Sequence, residues 1–337
     1  MEIKELLYSL SQRDCIGNIT EAADFAFDVL SQYADTKKYD TLNVIGEIRG
    51  KSDYTIMLDA HIDQVGFVVT NIDEQGFLTV ATVGGIDLRA LPSKTVTVHG
   101  KQKITAVFCA TPPHLAKGEV EYDDISKIKL DTALGEKAKE IVSIGDYVTF
   151  SDKCFDLCGN KVCGRSFDDR AAVACLLELA KRLSGKELPV NVVFALSAGE
   201  ELGLRGAKTA TFTVNPNEAI ALDVDFGDSP DVSPTDSSPL GDGGIITYSP
   251  ILDKNINKKL EKIAKDSNIR YSTYVAGGRT STNADIIGLS REGVKTSVLS
   301  IPLRNMHSSV EILDSDDLEA ICDLLEQYVL KGGVFDA

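Results

Sequence analysis

The 337-residue chain has no long apolar run, no excess of basic residues and no paired pattern of cysteines. No stretch approaches the roughly 18 consecutive apolar residues that a membrane-spanning helix needs. Lysine and arginine number 35 against 51 aspartates and glutamates, which gives a formal net charge of −16. Because such a chain repels nucleic-acid phosphates and anionic lipid surfaces, we expect neither nucleic acid nor a membrane as partner.

The cysteines and the first residues both indicate a reducing compartment. The seven cysteines are odd in number and scattered, so they do not form a disulfide framework. The first residues place Glu2 and Glu5 inside what would be a signal peptide and lack its long apolar centre. These features predict a cytoplasmic protein with reduced thiols.

The sequence lacks the motifs of three common enzyme classes. It contains no G-x-S-x-G, no P-loop and no G-x-G-x-x-G. Nothing therefore supports a serine hydrolase, a P-loop nucleotide enzyme or a Rossmann dehydrogenase.

The sequence shows two patterns of predicted secondary structure, one α/β and one all-β. From about residue 166 to the C-terminus, strand-like and helix-like segments take turns, as in a mostly parallel sheet with helices on both faces. Between about Gly66 and Cys163, short β-rich runs follow one another closely, which indicates a small all-β barrel. The predicted fold is an α/β catalytic domain of residues 1–66 and 163–337, with a β-barrel domain of residues 67–162 inserted in it.

Hydrophobic periodicity also predicts individual elements. We expect helices over 171–183, 256–264 and 318–330, and strands over 189–197, 218–224 and 294–302. Ser315 is placed to cap the last helix with its hydroxyl.

Acidic and imidazole side chains follow several of the apolar strands. The candidates are His61 with Asp63, Asp168 with Asp169, Glu200 with Glu201, Asp223 and His307. Ligands of open α/β sheets bind outside the carboxyl ends of the strands, so we expect these groups to converge there.

This set of side chains predicts a metal site. Two imidazoles and several carboxylates without a cysteine favour zinc, cobalt or manganese, and their number suits two metals that share one carboxylate. The spacing of His61 and Asp63 allows the aspartate to accept the second ring N–H of the histidine. Of the adjacent Glu200 and Glu201, one can bind metal while the other acts as a general base.

The order and spacing of these residues, with the runs Glu-Glu-x-Gly-Leu-Arg-Gly-Ala at 200–207 and Met-His-Ser at 306–308, resemble the tetrahedral (TET) and glutamyl aminopeptidases. That family consists of dinuclear metallopeptidases with a zinc-peptidase-like fold, and some members have been labelled endoglucanases. The resemblance covers nearly the whole chain, including the β-rich insertion.

The resemblance implies a role for each matching residue. His61, Asp168 and Asp223 would bind one metal, and Asp168, Glu201 and His307 the other, with Asp168 as the bridge, Glu200 as the base and Asp63 orienting His61. It also implies two divalent ions per subunit, zinc or cobalt with manganese as a third candidate. Peptides would be the substrates of a homo-oligomer, typically a hollow tetrahedron of twelve subunits in which the inserted domain serves assembly and acts as a lid.

Three positions depart from the family pattern. Gly199 stands where glutamine is usual, Asn283 where aspartate is usual, and Asn305 where tyrosine is usual. None is a predicted ligand, so we expect the departures to affect the substrate pocket rather than metal binding. Arg89, Arg279 and Arg304 could supply a basic pocket for acidic N-terminal residues, or could be structural.

The prediction is a metal-dependent aminopeptidase that removes N-terminal residues from peptides. A related deacylase or carboxypeptidase would need the same metal ligands and the same general base. A glycosidase using Glu200 and Glu201 is disfavoured, because adjacent residues seldom place two carboxyls on opposite sides of a sugar. A non-catalytic assembly protein is disfavoured because every predicted ligand and the base are present.

Overall fold

The computed structural model describes residues 1–115, 124–230 and 232–334. Its helices are α1 (Ile3–Ser11), α2 (Glu21–Leu30), α3 (Ala138–Ile141), α4 (Phe167–Leu183), α5 (Arg205–Val214), α6 (Lys254–Asp266), α7 (Ala284–Ile287) and α8 (Ser315–Leu330). Short 3-10 helices cover Leu88–Ala90, Pro113–Leu115, Ile125–Lys127 and Gly135–Lys137.

The strands of the described residues belong to one large sheet, one barrel and two small sheets. They are β1 (Cys15–Ile16), β2 (Ile19–Thr20), β3 (Asp35–Lys38), β4 (Val44–Ile48), β5 (Thr55–His61), β6 (Gly66–Ile72), β7 (Leu78–Val83), β8 (Thr95–His99), β9 (Lys103–Phe108), β10 (Leu130–Asp131), β11 (Tyr147–Phe150), β12 (Phe155–Asp156), β13 (Lys161–Gly164), β14 (Asn191–Ser197), β15 (Glu218–Phe226), β16 (Gly244–Tyr248), β17 (Tyr271–Val275), β18 (Lys295–Leu303) and β19 (Glu311–Asp314).

The large sheet has eight strands in the order β17-β16-β18-β15-β5-β14-β4-β3. Its centre is parallel, since β14, β5, β15 and β18 pair in parallel, and antiparallel pairs flank it on both sides. The central strands are buried almost without alternation, as expected for strands covered on both faces. Helices α1, α2, α4, α6 and α8 contribute to the core on one face, and α5 and α7 to the core on the other.

A closed antiparallel barrel forms from β10-β7-β6-β11-β8-β9. Phe67 lies at its centre, with ring centroids 5.0 Å from Phe108 and 5.6 Å from Phe150 in edge-to-face arrangements. All three rings are buried, and each contributes roughly 1.5–3 kcal/mol relative to an exposed side chain. The barrel thus has its own apolar core, although residues 116–123 of the insertion lie outside the described residues.

The barrel is inserted between two segments that meet at the edge of the large sheet. The chain leaves the large sheet after His61, at the end of β5, and the α/β part of the fold resumes at Phe167, the start of α4, a helix that packs against this sheet. Strand β13 pairs with β19 in a register that sets Gly164 opposite Glu311. This pairing brings the segment before Asp168 next to the segment after His307.

The predicted fold class, a mostly parallel α/β sheet with an inserted β-barrel, is confirmed. The expected helices and strands form, with ends displaced by a few residues. The prediction that Ser315 caps α8 is wrong. The Asp314 carboxylate caps this helix by accepting the N–H of Asp316, and the Ser315 hydroxyl donates to the backbone oxygen of Asn160. The division of the chain into domains at 66/67 and 162/163 stays a prediction. Within the described ranges, no helix is both long and apolar enough to cross a membrane.

Candidate metal centre

The predicted site residues converge at the carboxyl ends of the parallel strands. His61 is the last residue of β5, and Asp223 lies near the end of the neighbouring β15. Glu200 and Glu201 follow β14, and His307 follows β18. Each of these strands ends at the same edge of the sheet, which is why distant parts of the sequence meet there.

Asp168 lies between the two imidazoles. Its Oδ1 is 2.9 Å from Nε2 of His61, and its Oδ2 is 3.0 Å from Nε2 of His307. Nε2 of His307 is also 3.3 Å from Oε1 of Glu201. One carboxylate therefore presents a different oxygen to each histidine, which is the arrangement expected of a residue that bridges two cations.

Three groups of side chains have ligand atoms close enough to hold an ion. These groups are His61 with Asp169 and Asp223, His61 with Glu200 and Glu201, and Asp168 with Glu201 and His307, and within each the ligand atoms lie within 4.8 Å of one another. The last group is the set expected for the second metal. In the first group, Asp169 takes the place where the resemblance implied Asp168; the sequence analysis named Asp169 as a candidate but gave it no role.

Asp63 contacts both the histidine and the two glutamates. Its Oδ1 is 3.5 Å from Nδ1 of His61, which is long for a hydrogen bond. The same carboxylate accepts the backbone N–H groups of Glu200 at 3.1 Å and of Glu201 at 3.2 Å. Asp63 thus fixes the loop after β14 as well as lying beside the imidazole.

Glu311 joins the other two segments of the site. Its Oε2 accepts the N–H of Phe167 at 2.6 Å and of Asp168 at 3.2 Å, and its Oε1 accepts the N–H of His307 at 2.8 Å. The residue is almost completely buried. The sequence analysis gave Glu311 no role. The feature that could have indicated one is a glutamate four residues after His307, at the start of β19.

A second network of buried hydrogen bonds involves Asp59, on the strand that carries His61. Asn283 donates from Nδ2 to Oδ1 of Asp59 at 2.6 Å and to the hydroxyl of Ser197 at 2.9 Å. Asp59 lies two residues before His61 on β5, and burial raises its pKa to about 7. Asn283 therefore anchors the segment that precedes α7 to the strand that carries His61.

The buried acids of the site carry more negative charge than the two histidines offset. Burial raises the pKa of Asp169 and of Asp223 well above the range of an aspartate, and burial together with the nearby Asp168 raises the pKa of Glu201 to about 8. Burial opposes ionisation of His307, but its hydrogen bond to Asp168 outweighs this and raises the pKa to about 9. These shifts favour the protonated form of the acids over the ionised one.

The donor set fits divalent metals. Imidazole nitrogens and carboxylate oxygens are the ligands that zinc, cobalt and manganese accept, and metal binding would replace the protons that the acids otherwise hold. Oδ1 of Asp169 is buried without a hydrogen-bond partner among the described residues, as expected of a ligand atom whose partner is an ion.

The inserted barrel also contacts the site. A Cβ added at Gly84, which follows β7, would lie 2.8 Å from Oε2 of Glu201, and one at Gly85 would lie 3.3 Å from Nδ1 of His307. Although every predicted ligand comes from outside the barrel, this glycine pair packs directly against two of them.

A cavity of about 380 Å³ adjoins the metal-binding residues, and His61, Asp168 and Asp223 are part of its wall. The effect of the three departures on the substrate pocket stays a prediction. Gly199 lines a neighbouring cavity of about 590 Å³, and Asn283 and Asn305 are not among the described residues that line the first. Asn305 instead donates to the backbone oxygen of Val310 at 3.1 Å.

Comparisons with known proteins agree with this geometry. The family model described as M42 glutamyl aminopeptidase matches residues 43–324. The lysyl aminopeptidase of Pyrococcus furiosus is 31% identical over 305 residues, covering 88% of this chain and 87% of the relative. The glutamyl aminopeptidase of Lactococcus lactis is 29% identical over 274 residues, covering 78% and 76%. The TET1 peptidase of Pyrococcus horikoshii, which can assemble into a tetrahedron or a large octahedral shell, superposes with a TM-score of 0.86 at 31% identity, over 98% of this chain and 100% of that one.

The contacts of Glu311 generate a prediction about metal affinity. Glu311→Gln replaces one accepting oxygen by an NH2 group, so either the Asp168 segment or His307 loses its anchor. We expect metal affinity to fall by about 10- to 100-fold with the fold retained, as measured by titrating zinc or cobalt into metal-stripped protein. Glu187→Gln is the control, because its ion pair with Lys51 is exposed. Affinity equal to wild type in Glu311→Gln would contradict the anchoring role.

Proposed function

The chain belongs to the M42 glutamyl aminopeptidase family, and we propose how its own residues hydrolyse the N-terminal peptide bond of a substrate. Membership of the family makes it a peptide hydrolase of the aminopeptidase type. The roles of individual residues, the metals and the assembly are the proposal.

We assign two divalent metals to the site, zinc or cobalt being preferred. His61 and Asp223 would hold one metal, Glu201 and His307 the other, and Asp168 would bridge them, with Asp169 close to the first. The observation that carries this assignment is the placement of the two Asp168 oxygens at 2.9 Å and 3.0 Å from the two imidazoles. When bound, the metals would supply Lewis-acid polarisation of the scissile carbonyl and an acidified water.

Glu200 is the general base of this proposal. It lines the cavity beside the metal-binding residues, and burial raises its pKa above that of an ordinary glutamate, towards the neutral range in which a base works best. Its carboxylate would accept a proton from the attacking water and later deliver it to the leaving amine. Asp63 would hold the Glu200 backbone and orient His61, so that base and ligands keep one relative position.

The alternative functions have less support. A deacylase or carboxypeptidase would use the same metals, but the relatives that match over most of the chain are aminopeptidases. A glycosidase would leave both histidines without a role, because its chemistry needs only two separated carboxyls. A non-catalytic protein would not need the complete set of ligands.

An activity assay tests the proposal directly. Aminoacyl, N-acyl and cellulosic substrates are compared before chelation, after chelation, and after zinc or cobalt is restored. We expect release of N-terminal residues that stops on chelation and returns with metal. Aminopeptidase activity that does not respond to either treatment would rule out the metal mechanism.

The two adjacent glutamates should behave differently when each is changed to glutamine. Glu200→Gln should lower kcat by at least about 100-fold and keep both metals, because the amide cannot accept the proton. Glu201→Gln should lose occupancy of one metal. Metal analysis and kinetics are measured on both proteins, and each variant is the control for the other. The reverse pattern would mean that the roles of base and ligand are exchanged.

We further propose that the chain acts in the cytoplasm as a closed homo-oligomer, with the inserted barrel as an assembly and lid domain. No predicted ligand lies in residues 67–162, while the Gly84–Gly85 pair covers Glu201 and His307, which supports a lid. A similar peptidase that assembles into a tetrahedron supports the choice of a tetrahedral assembly.

Light scattering on the wild-type protein tests the assembly. A tetrahedral assembly should show a mass about twelve times the 36.3 kDa of one chain. Replacing residues 68–161 with a Gly/Ser linker should give a smaller species. A wild-type chain that stays monomeric at micromolar concentration would contradict the proposal.

A further inference from the structure

The cavity beside the metal-binding residues is where the N-terminal side chain of a peptide would lie, an inference that rests on the proposed function. It measures about 380 Å³ and shares His61, Asp223 and His307 with the metal centre. An aminopeptidase must hold the first residue of its substrate next to the carbonyl that reacts. The chemistry of this wall therefore decides which first residue is accepted.

Asp225 is the one carboxylate among the described residues of this wall that has no part in the proposed metal site or its base. It lies two residues after Asp223 on β15, so both side chains are on the same face of the sheet. Their Cα atoms are roughly 7 Å apart along the strand, because each residue advances a strand by about 3.3 Å. That separation is comparable to the reach of the four-carbon stem of a lysine.

No cation of the described residues forms an ion pair with Asp225. Its Oδ1 accepts only the N–H of its neighbour Phe226, at 2.8 Å. The residue is partly buried in the cavity wall, where an unpaired charge is less well solvated than at an open surface. A cation on the substrate would complete this site.

Of the three arginines named as candidates for a basic pocket, one lines this cavity. Arg89 pairs with Asp87 and Arg304 with Asp228, and neither arginine is among the described residues of the wall. Arg279 does line the cavity, but its side chain is 85% exposed and its Nε lies 3.6 Å from Asp285. The described residues of the wall therefore include four carboxylates, those of Asp168, Glu200, Asp223 and Asp225, and one largely exposed arginine.

We infer that Asp225 selects peptides whose first residue is lysine or arginine. The ammonium or guanidinium group of that residue would pair with the Asp225 carboxylate, while the stem occupies the space between Asp225 and the metal centre. The named relatives include both a lysyl and a glutamyl aminopeptidase, so their names do not decide this point.

The test measures kcat/KM of the metal-loaded enzyme on the p-nitroanilides of lysine, arginine, leucine and glutamate. Wild type should prefer the two basic substrates. Asp225→Asn should lower the lysine-to-leucine ratio by about tenfold or more, since a charge-assisted contact is replaced by a neutral one. Asp228→Asn is the matched control, because it removes a nearby carboxylate that is already paired and lies outside the wall; its ratio should equal that of wild type.

An inhibition measurement on the wild-type enzyme does not depend on how the variant folds. Free lysine should inhibit hydrolysis of the leucine substrate more strongly than norleucine, which has the same stem without the charge. Equal inhibition, an unchanged ratio in Asp225→Asn, or a preference for glutamate would each overturn this inference and leave the proposed function standing. If the enzyme hydrolyses none of the four substrates, both this inference and the proposed function are overturned.

Discussion

The position of the Asp168 carboxylate between two imidazoles is the constraint on which the rest of the site depends. The carboxylate can face both histidines only if the end of β5, the start of α4 and the loop after β18 meet at one point. The parallel sheet brings two of these segments to the same edge. Glu311 then ties the α4 start to the His307 loop through three backbone N–H groups.

This arrangement has an electrostatic cost that the fold alone does not remove. Two like charges 4 Å apart in a protein repel by about 4 kcal/mol, and this site gathers several carboxylates around two histidines. In the metal-free chain, burial and mutual repulsion raise the pKa values of most of these acids, so protons reduce the charge. Divalent ions would do the same while leaving the oxygens ionised, which explains why so many acids occupy a nearly buried position.

Much of the fold and most of the site could be predicted from the sequence, for identifiable reasons. Apolar runs of strand length mark the central strands, and His61, Glu201 and Asp223 stand at or just beyond the ends of those strands. Asp169 was a candidate without a role and Glu311 was missed, because what they do depends on contacts with the backbone of segments far apart in the sequence, those of His61 and Phe167. The approach of Gly84 to Glu201 was missed for the same reason: the closure of a barrel over a sheet leaves no periodic signal.

The central claim, two metals bridged by Asp168, is tested most directly by anomalous diffraction from crystals of the cobalt-loaded protein. The account predicts two anomalous peaks about 3.5–4 Å apart. One should contact His61, the other His307, and both should contact the Asp168 carboxylate. A single peak, or a pair of peaks that Asp168 does not join, would contradict it.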